Sequence, residues 1–286
     1  MKIYYYAYSG HKYGLDRVKR GVALIKSFER EGIKVELLLN DFRAGLVAKD
    51  LGVKESTTIE TFLDIDAVAQ RGDMVFIDTP EDVTTKLQRY YEKFTPLFRI
   101  VDDCESRSLY GEKVIKPIDN DNISSIMVDT IYYKELQKED RVLLFLGDAD
   151  QSRDILSNID FFEERDMELL LGSYFYIKYE EQISRYFSKV HEADEYSELI
   201  RSSSKIVTSS KQTAFEAIAS KVDVVYMKQE SDSQCLLEEL EEQGVKIINY
   251  FDKKELLNTL EREIYAKKMV KSVDITVKNI IIAHDL

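Results

Sequence analysis

The chain has 286 residues, of which 44% are hydrophobic and 33% charged, and it carries a formal net charge of −13. Such a chain is long enough for two domains of ordinary size, and its composition is that of a folded protein, which excludes a disordered one. The acidity argues against nucleic-acid and anionic-membrane partners, so a phosphorylated small ligand would need a local positive patch.

In chain order, the strand candidates of the first half are 2–8 (IYYYAYS), 33–39 (IKVELLL), 73–78 (DMVFID) and 97–101 (LFRIV). Helical segments alternate with them at 16–31, 42–51, 58–70 and 80–93. In the first helix Val18, Val22, Ile25 and Phe28 keep the 3.6-residue period. Continuous apolar strands, each followed by a helix, predict a parallel sheet covered on both faces. A polar stretch at 119–141 interrupts the series, and a second one follows. Its strands are expected at 142–147, 167–174, 204–210, 222–227 and 245–250, and its helices at 151–164, 192–202, 212–221, 232–243 and 252–268. The terminal SVDITVKNIIIAHDL reads as a helix or a strand, its β-branched residues leaving both open.

The expected fold class is therefore α/β: two Rossmann-like domains, 1–135 and 136–286, with parallel sheets and an inter-domain cleft. Ligands of such sheets meet the loops that follow the strands. Here those loops are AYSGHKYGLDR, DTPED, VDDCESRS, GDADQS and TSSKQTAFE. No apolar run approaches the length of a membrane span, and MKIYYYAYSG lacks the apolar core of a signal peptide. Cys104 and Cys235 have neither CxxC nor Cys/His spacing, which fits a reducing cytoplasm and argues against a disulfide framework or a zinc site.

The first loop contains His11 and Gly14 and leads into Lys12, Arg17, Lys19 and Arg20, the densest basic cluster beside a glycine loop. It reads either as an anion site or as a solvated first helical turn. In TSSKQTAFE, Ser209, Ser210 and Thr213 stand where a strand gives way to a helix. Backbone N–H groups at such an N-terminus suit a diphosphate, and Glu216 one turn on suits ribose hydroxyls. Thr213-x-x-Glu216 is equally an ordinary capping box. Gly147, in LFLGDADQS, permits close backbone approach, while Asp148 and Asp150 are natural turn and N-cap residues. DAD also matches the DxD metal sites of some glycosyltransferases, but DID and DND recur in this acidic chain, and no metal or cofactor is expected. Asp102 and Asp103 form a carboxylate pair suited to acid–base work, or to ending a strand beside Arg107. His191 and His284 read as surface or capping residues, which leaves His11 as the histidine of a candidate ligand loop. GxGxxG after the first strand, GxxxxGK[ST], GxSxG and HExxH are all missing, which removes dinucleotide oxidoreductases, P-loop NTPases, α/β-hydrolases and zincins from the front rank.

Taken in order, these loops resemble the PseG-like UDP-sugar hydrolases of bacterial pseudaminic acid synthesis, GT-B-type relatives of MurG-type glycosyltransferases. The similarity spans roughly residues 1–250. GLDRVKR matches the family's G-x-G-H-x-x-R loop, with Gly14 as first glycine and Arg20 as the arginine. FIDTPED matches its strand-end aspartate at Asp78, and IVDDCESR its I-D-D strand end. Gly147 and Asp150 match G-G-x-D in part. Ser209, Ser210, Thr213, Glu216 and Ala217 match the phosphate and ribose loop, and Lys228-Gln229 an N-Q-like pair. The resemblance implies a uridine diphosphate held by the C-terminal domain, with phosphates on 209–213, ribose on Glu216 and the sugar facing the N-terminal loops. Arg17 stands at the family's water-activating histidine, Asp16 at its second glycine and Pro80 at its tyrosine. Because arginine is no base near neutral pH, His11 is the candidate replacement, with Asp78, Asp102 and Asp103 as further acid–base candidates. Gly14, Arg17, Arg20, Gly147 and Gln229 complete the expected substrate contacts. The expected activity is hydrolysis of a UDP-sugar or transfer of its sugar. The alternatives are a catalytically degenerate relative that binds a nucleotide sugar or a partner, and an interaction protein whose loops only cap helices.

Overall fold

The computed structural model describes residues 1–118, 122–162, 166–175, 177–260 and 270–286. The DND triplet at 119–121 lies outside them, as do parts of the helices expected at 151–164 and 252–268. Contacts divide the chain into two units, one of residues 1–10, 17–129 and 271–286, the other of residues 11–16 and 130–270.

In the first unit β1 (Ile3–Ala7), α1 (Asp16–Arg30), β2 (Val35–Leu39), α2 (Phe42–Asp50), β3 (Ser56–Thr58), α3 (Ile65–Val68), β4 (Met74–Asp78), α4 (Thr84–Lys93), β5 (Leu97–Ile100) and β6 (Lys113–Ile115) alternate along the chain. The strands pair in parallel, in the order β3-β2-β1-β4-β5-β6. The second unit contains β7 (Glu139–Phe145), α5 (Asp154–Ser157), β8 (Met167–Leu170), α6 (Ile177–Ile183), β9 (Lys189–His191), α7 (Tyr196–Ser202), β10 (Ser203–Thr208), α8 (Lys211–Ala219), β11 (Asp223–Lys228), α9 (Gln234–Glu242), β12 (Lys246–Asn249) and α10 (Lys253–Leu260). Its parallel sheet runs β12-β11-β10-β7-β8-β9. Counted from the first strand of each sheet, both orders are 3-2-1-4-5-6, the doubly wound arrangement whose switch point lies between the first and fourth strands. The final helix, α11 (Val273–His284), belongs to the first unit, whereas the sequence boundary at 135/136 grouped it with the second.

Strand β1 is apolar and buried throughout because both faces of its sheet are covered. Tyr4, Tyr5 and Tyr6 of β1 are all at most 2% exposed, and each hydroxyl finds an acceptor, on Val68 O, Asp78 and Glu81 respectively. Helix α1 buries Val18, Val22, Ile25 and Phe28, the period read from the sequence. Gly21 lies on the same helix against the Tyr5 ring; a Cβ there would stand 2.6 Å from a ring carbon. Helix α11 is capped by Ser272, buries Val273, Val277 and Ile280, and places Asp274 where Ser27 Oγ donates at 2.6 Å and Arg30 at 2.5 Å.

Several expected elements are altered. The helix expected at 58–70 is a short 3₁₀ turn, Phe62–Asp64, followed by α3, and the one at 151–164 begins as the single turn α5. The open C-terminal segment is helical. Three strands and one helix were not anticipated: β3, β6, β9 and α6. Neither cysteine is a free thiol, which withdraws the support that their spacing lent to a reducing compartment. No described helix is long and apolar enough to cross a membrane.

Candidate functional site

In the first unit the switch point separates β1 from β4. Asp78, the last residue of β4, is fully buried there and engaged on both oxygens. Arg20 of α1 reaches it through Nε and Nη2, each at 2.6 Å, and donates through Nη1 to Asp102 Oδ1 at 2.7 Å. The Tyr5 hydroxyl donates to Asp78 Oδ2 at 2.7 Å. Arg17, one turn before Arg20, lies 3.5 Å from Asp78 Oδ1 and 3.7 Å from Asp102 Oδ2. Two guanidinium groups thus balance two carboxylates. Burial opposes the Arg20 charge, but Asp102 and Asp78 beside it outweigh burial and hold its pKa well above the ordinary arginine value. Burial, reinforced by Asp78, pushes the Tyr5 phenol well above its ordinary value, so it remains a donor.

The second unit's switch point lies between β7 and β10, where the loops 146–153 and 209–210 meet. Ser209 Oγ donates to Leu146 O across them. Gly147 has φ +155, with open space where a Cβ would be. Asp148 is buried and accepts from Leu15 N at 2.9 Å, while its carbonyl accepts from Tyr174 N at 2.8 Å. Two glycines make this possible. Gly14 has φ +63, and a Cβ there would stand 3.4 Å from the Asp148 carboxylate; a Cβ on Gly172 would stand 2.3 Å from Asp148 Cα. Asp150 accepts from Asp154 N at 2.7 Å and Ile155 N at 3.0 Å, closing the first turn of α5. Among the described residues no three or more His, Cys, Asp or Glu side chains are grouped as a metal ion would need.

Helix α8 starts with Ser210 as N-cap, its hydroxyl accepting from Thr213 N at 3.1 Å. The Asp16 carboxylate rests at the same helix start, 2.7 Å from Ser210 Oγ and 3.3 Å from Gln212 N. A carboxylate of the chain itself thus stands where the first N–H groups of a helix attract an anion. Thr213 Oγ1 is 2.7 Å from both Ser210 Oγ and the Tyr196 hydroxyl, and Tyr196 is 2.6 Å from Glu216 Oε2. Gln212 Nε2 donates to Glu216 Oε1 at 2.9 Å. Glu216 is 2% exposed, and Ser209, Ser210 and Thr213 are buried with it.

Of the expected site residues, Arg17, Arg20, Asp78 and Asp102 form one cluster in the first unit. Ser210, Thr213 and Glu216 are joined by contacts in the second, with Asp16 and Tyr196 among them; Gly14 lies against Asp148, and Ser209 and Gly147 lie on the adjoining loops. His11 sits in the second unit with its ring 4.9 Å from that of Tyr174. Asp103 is separate from Arg20, its oxygens accepting from Ser106 N at 2.6 Å and Ser106 Oγ at 2.8 Å. Gln229 is exposed in a turn, where its N–H donates to Asp232 at 2.7 Å. Sequence reasoning missed Tyr5, Tyr196, Gly21 and Gly172, which support these groups from elsewhere in the chain. His191, expected as a surface or capping residue, is buried at the end of β9 between Glu168 and Glu195, at 2.5 and 3.3 Å.

No protein-family model and no curated protein sequence matches the chain. Solved structures do. The chain is similar to the UDP-GlcNAc 2-epimerase of Methanocaldococcus jannaschii in complex with UDP-GlcNAc and UDP, at 13% identity and TM-score 0.65, with 100% of each chain covered. It is also similar to the Neisseria meningitidis UDP-GlcNAc 2-epimerase bound to UDP-GlcNAc, at 12% identity and TM-score 0.56, with 98% of each chain covered. A glycosyltransferase from Rickettsia africae matches at 11% identity and TM-score 0.56, over 91% of this chain and 87% of that one. The fold class read from the sequence, two Rossmann-like domains of GT-B type, is the fold of these neighbours.

Proposed function

We propose that this chain is a nucleotide-sugar enzyme that binds a UDP-sugar at the second unit's strand-end loops and hydrolyses it or transfers its sugar. The pathway class we assign is bacterial surface-glycan or flagellar-sugar synthesis, following the resemblance to PseG-like hydrolases. The observation that carries the reading is the meeting, at one switch point, of the α8 N-terminus with the glycine loop 11–16. Following the resemblance, Ser209, Ser210 and Thr213 are assigned to the diphosphate and Glu216 to the ribose, whose hydroxyls would have to replace the bonds Glu216 makes to Tyr196 and Gln212. The solved neighbours that hold UDP-GlcNAc lend support through their shared fold.

The chemistry passes to His11, because Arg17 stands where the resembled family has its base and a guanidinium does not accept a proton. Asp78 is assigned a positioning role, since an oxygen that activates water needs access to it and those of Asp78 already hold Arg20 and Tyr5. Calorimetric titration with UDP and UDP-GlcNAc tests the reading. Binding in the micromolar range is expected, weakened at least about 10-fold by Ser210→Ala combined with Thr213→Val; no heat at millimolar ligand would overturn it. Turnover is expected to vanish in His11→Ala. A second reading, binding without turnover, is favoured by the two arginines that neutralise Asp78 and Asp102. It is decided by UDP binding that persists while no UDP-sugar is consumed.

A further inference from the structure

Five oxygen atoms in the second unit form an unbroken chain: Asp16 Oδ1, Ser210 Oγ, Thr213 Oγ1, Tyr196 OH and Glu216 Oε2. Its four links measure 2.7, 2.7, 2.7 and 2.6 Å, all within the range of O–H···O hydrogen bonds. Every such link needs one proton. The three hydroxyls supply three, and an ionised carboxylate supplies none. With both carboxylates ionised the chain is one proton short, and two lone pairs would face each other at hydrogen-bond distance inside the protein.

We infer that Asp16 and Glu216 hold one additional proton between them, carried by Glu216 as a neutral carboxylic acid. Glu216 is the more buried end, at 2% exposure, while Asp16 is partly exposed. Donation then runs in one direction, from Glu216 to Tyr196, Thr213, Ser210 and finally the Asp16 carboxylate. The remaining bonds agree with this polarity: Ser210 Oγ accepts from Thr213 N, Glu216 Oε1 accepts from Gln212 Nε2, and Asp16 Oδ2 accepts from Gln212 N. Tyr196 keeps its own proton, because burial holds its pKa well above the ordinary tyrosine value, so the count of three hydroxyl protons stands. Among the described residues, Tyr132 acts on Tyr196, and Lys211 in the first turn of α8 is drawn to Asp232 at 3.2 Å. The Tyr226 hydroxyl of β11 lies 3.0 Å from Asp232 Oδ2 and 3.3 Å from Ser209 O, and its single proton serves the shorter contact.

The proton makes Glu216 a positioning residue. It turns three hydroxyls the same way, so that Ser210 donates outward to whichever anion occupies the start of α8. In the present structure that anion is Asp16. The inference stands whether or not a nucleotide binds.

Infrared spectroscopy of the folded protein at neutral pH provides the test. A carbonyl band of a protonated carboxyl group is expected, and it should disappear in Glu216→Gln. It should disappear as well in Asp16→Asn, because the asparagine amide supplies the missing fourth donor and lets Glu216 ionise. Persistence of the band in Asp16→Asn would overturn the inference, since Glu216 would then be neutral through burial alone; so would a spectrum with no such band to lose. Denaturant unfolding provides a second readout. Each single variant completes the chain and should keep a midpoint near that of the native protein. The double variant brings five donors to four links and should unfold earlier than the two singles together predict; additivity would overturn the proposal.

Discussion

Replacing Asp78 by asparagine would keep the shape of the side chain while removing the charge that Arg20 meets through two of its nitrogens at 2.6 Å. Arg20 would keep Asp102, but a buried guanidinium would lose its innermost partner, and the expected cost is about 3 kcal/mol. Tyr5→Phe removes one hydrogen bond to a charged oxygen and is expected to cost about 1.5 kcal/mol. Urea unfolding of the two variants measures both, and a larger loss for Tyr5→Phe would reverse the assigned order. Much of this cluster was legible as residue types, Asp78 and Asp102 as carboxylates that end apolar runs and Arg17 and Arg20 as a basic cluster after a glycine loop. Tyr5 was not, because a tyrosine inside IYYYA reads as core until its hydroxyl is seen to meet a carboxylate. Ser210, Thr213 and Glu216 could likewise be read from capping spacing, whereas Tyr196 and Asp16 reach them from distant segments that no local pattern links.

At the scale of elements, α1 lies so close to β1 that only a glycine fits between them. Gly21→Ala would set a methyl 2.6 Å from the Tyr5 ring, and the ring must give way or the helix must lift. Overpacking of this kind costs about 1–3 kcal/mol and would pull the Tyr5 hydroxyl from Asp78. Adding Tyr5→Phe to Gly21→Ala should therefore cost less than it does in the native background, which a double-mutant cycle measures. The seam between α11 and β6 has a pH dependence of its own. Burial, and then Lys113 beside it, hold the His284 pKa below the ordinary histidine value; Lys113 Nζ lies 2.9 Å from His284 Nε2. The folded state prefers the neutral ring, so its contribution is fully present above an unfolded pKa of about 6.5 and is lost as pH falls from there through the lower folded value. His284→Gln should flatten stability between neutral pH and pH ~5. The long strands and α1 were legible because covering both faces demands unbroken apolar runs and a helix face demands its period. β3, β6 and β9 were not, because three residues at a sheet edge carry neither signal. Helix α11 stayed open because β-branched residues suit either state, and packing against the first unit decides it.

For the whole molecule, chain order and unit membership diverge. The first unit needs α11 from the far end of the sequence, and the second needs residues 11–16 from the near end. Separately expressed 1–129 and 130–286 should each fail to unfold cooperatively, the former with its surface beneath Val273, Val277 and Ile280 uncovered. A sharp, reversible transition in fragment 1–129 alone would contradict this. The sheets themselves end on strands of only three or four residues: β3 and β6 in one, β9 and β12 in the other. Each offers an incoming chain few unpaired backbone groups, and β3 exposes only a serine and two threonines between Glu55 and Ile59. Lys113 opens β6, Lys189 opens β9 and Lys246 opens β12, so that a lysine stands on the remaining three borders. Short borders that carry charge resist strand-by-strand growth into fibrils. The brevity that hid three of these strands from the sequence also keeps concentrated protein from aggregating through its edges.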